Sequence, residues 1–311
     1  MLKKLLLGTL AVAALTGCSK NELEDAGGNG GDEKTPIRFG SSIVALTKAG
    51  PVTGTAFTNG DLIGVFGYKG ETAPSAPATA FLSNAAYTYT TGSFKTSDAN
   101  AYWERNKKHY FYAYYPLDAT NAPVTTAAGA DPIVKVTVGT ENGAPVDLMW
   151  ASLDSGLEYA GTAPAAALTF NHKLSVVRFV VKTENAGVTA ALTNVAFTVD
   201  KNTGELNVRT GALAESGTAV TLTKAVNQTL STSDYTVEGW TPLLLPSAQI
   251  SDIKLTINGT ELTAAMTTAP VHEAGKETTI TITVKGTGLD LTGSRVDWTT
   301  GGTNGEGSVT D

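Results

Sequence analysis

An all-β protein with two tandem β-sandwich domains is predicted by three observations. Short segments alternate apolar and polar residues with a period of two, the mark of half-buried strands. Asn-Gly and other turn-forming clusters separate those segments, and long amphipathic helical stretches are hard to find. The roughly 290 residues that follow an N-terminal apolar run suit two domains of about 100–200 residues each.

The first element in chain order is that apolar run. Lys3 and Lys4 form a positive start, Leu5–Leu15 an apolar stretch, and Leu15-Thr16-Gly17-Cys18 a small-residue ending. The pattern reads as a secretory signal. It is shorter than the roughly 20 apolar residues that a membrane-spanning helix needs. The Leu-x-Gly-Cys ending resembles a bacterial lipobox, which makes residues 1–17 a lipoprotein signal peptide and Cys18 the lipidated N-terminus. With one cysteine in the chain, no internal disulfide can form.

Residues 18–35 follow as a flexible tether, rich in Gly and acidic residues and with a single leucine. Gly27–Gly31 has no strand before it and no helix after it, so it reads as linker and not as a phosphate-binding loop. An N-terminal sandwich domain is expected over 36–160, with long loops at Tyr68–Ala86 and Leu117–Pro132. Ser155–Pro164 is the expected linker, a C-terminal sandwich domain runs over 161–298, and 299–311 form a flexible tail.

Within these bounds the alternation is explicit. Val134, Val136 and Val138 fall on one face of Ile133–Val138, with Lys135 and Thr137 on the other. Ile253, Leu255 and Ile257 repeat the pattern, as do Ile280, Ile282 and Val284. Asn258-Gly259 sits between Ile253–Ile257 and Thr260–Ala264, a hairpin signal because a type I′ turn needs positive φ at both central residues. Asn142-Gly143 and Asn202-Thr203-Gly204 mark further turns. In Tyr110–Tyr115, alternation puts Tyr110, Tyr112 and Tyr114 on one face and Phe111 and Tyr115 on the other, which favours packing over a ligand platform. Trp103, Trp150, Trp240 and Trp298 read as core anchors.

Five segments together resemble the fimbrillin family of exported pilins. They are Leu46–Ala49 with Ala56–Phe66, His109–Pro116 after Trp103, Asp147–Ala151, Leu168–Ser175, and Gly275–Glu277 followed by a threonine-rich strand ending in Val296-Asp297-Trp298. The resemblance implies sandwich domains of transthyretin-like topology and a precursor delivered to the outer membrane through lipid on Cys18. It also implies cutting within the first strand by a trypsin-like protease. The groove so opened is filled by a strand from another pilin subunit, which satisfies unpaired backbone groups and an apolar stripe together. On this chain the scissile bond falls between Lys48 and Ala49, where the family usually carries arginine. The donor is either Thr279–Val284 with its neighbours or absent, as in a terminal subunit, since residues after Trp298 hold one large apolar side chain, Val309.

Several chemistries are excluded. Loss of residues 1–17 removes two lysines and no acid, so the exported chain is more acidic than the formal −7 of the whole. Such a chain repels nucleic acid. His109, His172 and His272 are far apart in sequence and lack metal-binding spacing, so no metal or cofactor is expected. There is no Gly-x-Ser-x-Gly elbow and no acidic calcium loop, and no enzyme is expected. The leading expectation is a pilus subunit, stalk or tip, that is exposed at the cell surface and supports adhesion. The alternative is a monomeric or anchoring surface lipoprotein that binds glycans or host ligands through its loops.

Overall fold

Period-two patterning becomes strand wherever the sequence carries it strongly. The computed structural model describes residues 34–44, 56–120, 122–139, 147–186, 189–264, 272–285 and 288–297, with backbone alone for 264 and 288–297. No helix occurs among the described residues. The first ten strands are β1 (Gly40–Ile43), β2 (Leu62–Lys69), β3 (Leu82–Thr90), β4 (Ser93–Lys95), β5 (Lys108–Tyr115), β6 (Val124–Thr125), β7 (Ile133–Thr137), β8 (Met149–Glu158), β9 (Ala167–His172) and β10 (Ser175–Thr183). Then come β11 (Ala190–Val199), β12 (Thr203–Asn207), β13 (Leu213–Ser216), β14 (Val220–Leu230), β15 (Tyr235–Thr236) and β16 (Leu243–Leu244). The last are β17 (Ile250–Ile257), β18 (Thr260–Ala264), β19 (Lys276–Lys285) and β20 (Gly288–Asp297).

Four sheets result. A seven-stranded sheet runs β1-β9-β8-β5-β2-β3-β4, and a four-stranded one runs β13-β12-β7-β6. The other two are β15-β10-β19-β20, with β16 also on β10, and β14-β11-β17-β18. Side chains of the first two sheets, with Val176 of β10 and Leu243 of β16, share one hydrophobic core, and most of the remaining buried side chains of the other two sheets share a second; the all-β prediction holds.

The seven-stranded sheet is covered on both faces, which explains why β2 and β5 are near-continuous apolar runs. Phe111 packs edge-on against Phe39 and Trp103 on one face, with ring centroids 4.9 and 5.7 Å apart. On the other face Tyr112 meets Tyr68, and the Tyr114 hydroxyl donates to Asn84 Oδ1 at 2.8 Å. Gly64 is required there, because a Cβ would lie 2.2 Å from the Tyr114 ring. The split of Tyr110–Tyr115 between faces is as the alternation predicts, and both faces are core.

The expected hairpin forms: β17 and β18 pair antiparallel with Asn258-Gly259 as the turn, both at positive φ. Val134, Val136, Ile253, Leu255, Ile280 and Ile282 are all buried. Four local expectations need correction, one being that the expected loop Leu117–Pro132 contains the short strand β6, which pairs with β7. The first long loop is shorter than predicted, since Tyr68 and Lys69 end β2 and Leu82–Ala86 begin β3. Ser155–Glu158 are strand, not linker, because a bulge with Gly156 at φ 71° lets β8 follow β5 to Lys108↔Glu158. Thr203 and Gly204 open β12 and pair with Thr137 and Val136, so that turn precedes them.

Strand pairing interleaves the two halves of the chain. β9 bonds to β1 and β8, and β12 bonds to β7. The proposed division into 36–160 and 161–298 would cut two sheets, and expression of 161–298 alone tests it.

The turn between β12 and β13 gathers the first core's surroundings. Arg209 forms a two-pronged ion pair with Asp131, Nε to Oδ1 at 2.6 Å and Nη2 to Oδ2 at 2.7 Å, and also donates to Pro74 O at 3.1 Å. Trp150 Nε1 donates to Val208 O, and Lys173 Nζ donates to Gly211 O. Gly211 has φ 71°, and a Cβ there would sit 2.8 Å from the Trp150 ring. One turn therefore ties together β8, Lys173 just after β9, and the loops after β2 and before β7.

Candidate functional site

The segment Thr35–Val44 closes the seven-stranded sheet on itself. Its sequence alternates, with Ile37, Phe39, Ser41 and Ile43 facing inward and Arg38 and Ser42 facing outward. That pattern suits a strand with one buried face. Ile37, Phe39 and Ile43 are 1%, 0% and 9% exposed. Each such burial contributes about 1.5–3 kcal/mol.

The segment changes partners at Gly40. Before it, Ile37 N–H donates to Ala101 O at 2.9 Å, Trp103 N–H donates to Thr35 O at 3.0 Å, and Phe39 and Phe94 exchange both bonds. After it, Gly40 N–H donates to Ala166 O at 2.8 Å and Val44 N–H to Phe170 O at 2.9 Å. From Gly40 to Ile43 it runs parallel to β9. One short segment thus satisfies edges belonging to β4 on one side and β9 on the other.

The wall it covers is aromatic. Phe39 rests against Tyr87 and Phe111 with centroids 5.0 and 4.9 Å apart. Phe57, Phe94 and Phe170 continue the wall, with Phe57 4.9 Å from Phe94 and 5.1 Å from Phe170. Burial raises the Tyr87 phenol well above its usual range. Its buried hydroxyl has no hydrogen-bond partner among the described residues.

Cys18, Lys48 and Ala49, the sequence-predicted lipidation and processing residues, lie outside the described residues. In chain order the Lys48–Ala49 bond follows the closing segment, so a cut there would sever Thr35–Val44 from everything after it. The suggested donor Thr279–Val284 lies inside β19, between β10 and β20, with Ile280 and Ile282 fully buried. Two aspects were not read from the sequence. One is the antiparallel pairing of Thr35–Phe39 with Phe94–Trp103, whose only local trace is the alternation of Ile37 and Phe39. The other is the Arg209 turn, which has no sequence signature.

The histidines are structural in position. His109 Nε2 accepts from Glu104 N–H at 3.1 Å, and burial lowers its pKa. His172 Nδ1 is 2.7 Å from Asp147 Oδ1, and burial raises the Asp147 carboxyl against the opposing pull of that bond. His272 Nδ1 is 3.1 Å from Thr278 Oγ1. No group of three or more His, Cys, Asp or Glu side chains converges as a metal site among the described residues.

Comparison with known proteins assigns this all-β chain to a family. The chain belongs to the Fimbrillin-like family, whose model matches residues 47–309. That match begins just after the closing segment. A relative from Bacteroides uniformis named "Putative fimbrium subunit Fim1C" is 27% identical, covering 97% of each chain. Two solved structures share the fold. A "fimbrial protein" from Bacteroides vulgatus has a TM-score of 0.59 at 16% identity, over 84% of this chain and 99% of its own. A "putative cell adhesion protein" from Bacteroides ovatus has a TM-score of 0.62 at 20% identity, over 86% of this chain and 99% of its own.

Proposed function

We propose that this protein is a structural subunit of a cell-surface fimbrium, exported as a lipoprotein through Cys18, cut between Lys48 and Ala49, and polymerised by strand donation. The observation that carries the proposal is the position of Thr35–Val44. It is an extended segment with one buried face, lying between the predicted lipid site and the predicted cut and held between two edges of the seven-stranded sheet. Its loss would leave the backbone groups of Phe94, Ala101, Ala166 and Phe170 unpaired. It would also uncover the aromatic wall, the combination that an added strand from another subunit repairs. Membership in the Fimbrillin-like family and the name carried by the Bacteroides uniformis relative support the same reading.

The donor is left to a segment other than Thr279–Val284, because withdrawing β19 would dismantle the second core. The rival reading, glycan or host-ligand capture through loops, draws little from Tyr68 and Phe81, the aromatic side chains of the expected loop Tyr68–Ala86. Tyr68 is buried, and Phe81 is packed against His109 and Phe111 beneath Lys69 Nζ.

N-terminal sequencing of assembled surface fibres tests the proposal, with Ala49 as the expected first residue. Trypsin-dependent ladders that resist SDS are the expected assembly product. Fibres that still begin at Cys18 would refute the processing step. Glycan binding by a monomer that forms no ladder after trypsin would favour the rival.

A further inference from the structure

We propose that cutting after residue 44 does not open the groove: Thr35–Val44 stays seated as a non-covalent plug and leaves only when an incoming strand displaces it from its Ile43 end. The natural position of the cut rests on the processing reading above; retention of the plug does not.

Retention follows from how the segment is held. Its backbone bonds run to two flanks that lie far away in sequence, Phe94–Trp103 and Ala166–Phe170. Neither flank is disturbed by a cut beyond Val44. Ile37 and Phe39 are buried, Phe39 against the Tyr87 and Phe111 rings, and spontaneous loss would expose that wall to water in one step. A strand that enters while the plug leaves never exposes the whole wall at once.

The direction follows from the asymmetry about Gly40. The Thr35–Phe39 half carries the two deepest side chains, and the Thr35 hydroxyl is 2.8 Å from the Tyr159 hydroxyl. The Gly40–Ile43 half has two serines, and its ladder with β9 is parallel, the weaker kind. Val44 is 43% exposed. Opening begins where the free energy of local unfolding is lowest, at the new chain end beside β9. An occupant that makes the exchange favourable need only be an extended segment with an apolar side chain at every second residue. One that also offers an acceptor to the Tyr87 hydroxyl gains a bond that the plug leaves unmade.

The test uses the full chain with a flexible insert after Lys48 that carries a site for a sequence-specific protease, so that cutting does not depend on Lys48 itself. After complete cutting, shown by two bands under denaturing conditions, both fragments are expected to co-elute from a sizing column under native conditions. Hydrogen exchange should then speed up at the Val44 amide, while the Ile37 and Phe39 amides keep their protection. In the cut protein Phe39→Ala should release the fragment on the order of a hundredfold faster. Separation of the fragment within the column run, or unfolding of the body on cutting, overturns retention. Equal loss of protection at Ile37, Phe39 and Val44 overturns the direction. Failure of natural fibres to begin at Ala49 would refute the processing site and leave these outcomes as they stand.

Discussion

Phe39 and Phe94 close the seven-stranded sheet: each donates its backbone N–H to the other's carbonyl, at 3.2 and 2.8 Å. Phe39 lies just before β1 and Phe94 lies in β4, the two ends of the strand order. Their pairing turns an open sheet with two edges into a curled one, and it places the segment Thr35–Val44 at the join. An edge left open there would be a template for another chain.

Phe39→Ala in the uncut protein is expected to cost about 3–5 kcal/mol, the usual range for emptying a buried aromatic site. Arg38→Ala next to it, on the exposed face, should change stability by no more than about 0.5 kcal/mol. Urea denaturation of the two variants checks the contrast. Equal losses would show that the segment is not seated with Phe39 inward.

Tyr87→Phe removes a buried hydroxyl that has no partner among the described residues and keeps the ring against Phe39. The variant should therefore be more stable than the parent, by about 1 kcal/mol. Thermal melts at one pH measure it. A loss of stability would mean that the hydroxyl is bonded after all.

Arg209→Ala leaves Asp131 without its two-pronged partner at a site where both side chains are nearly buried, and should cost about 3 kcal/mol at neutral pH. The Arg209 guanidinium holds the Asp131 carboxyl below its ordinary range, with Asn207 assisting. A depressed carboxyl contributes stability above its unfolded pKa, and that contribution is lost as pH falls through the folded value. The parent should thus lose stability on acidification below about pH 4, and Arg209→Ala should lose less over the same window. Gly211→Ala should weaken the same turn through its positive φ and the Trp150 ring. Denaturation midpoints across the acid range test both.

His272 is buried, and burial pushes its pKa from 6.5 down to about 4. Between those values the unfolded chain takes up a proton that the folded chain refuses. Stability is therefore complete above pH 6.5 and falls as the pH drops toward about 4. His272→Gln should flatten that decline, whatever its effect at neutral pH. Melting temperatures at intervals from pH 7 to about pH 4 give the answer, and parallel declines in both proteins would contradict it.

Much of the fold was legible because its cause is local. A strand with one wet face must alternate, so Val134–Val138 and Ile253–Ile257 announce themselves, and Asn258-Gly259 announces the turn between β17 and β18. Strands dry on both faces are harder to place, because their residues no longer report which face is which. Tyr110–Tyr115 show a period but not that both faces of the strand are buried. Glycine and serine at Ser155-Gly156 read as linker, and only the bulge opposite β5 makes them strand.

The sequence by itself determined the strand pattern, the Asn-Gly hairpin, the resemblance to fimbrillins and the order of Cys18, the alternating segment and Lys48. Tertiary structure decided what the alternating segment does. Ile37 and Phe39 meet Ala101, Phe94 and Phe111, and Gly40 meets Ala166, across more than 50 residues of chain on either count. Such pairing depends on which distant edges are left open once the rest of the sheet has curled, and no local pattern encodes that.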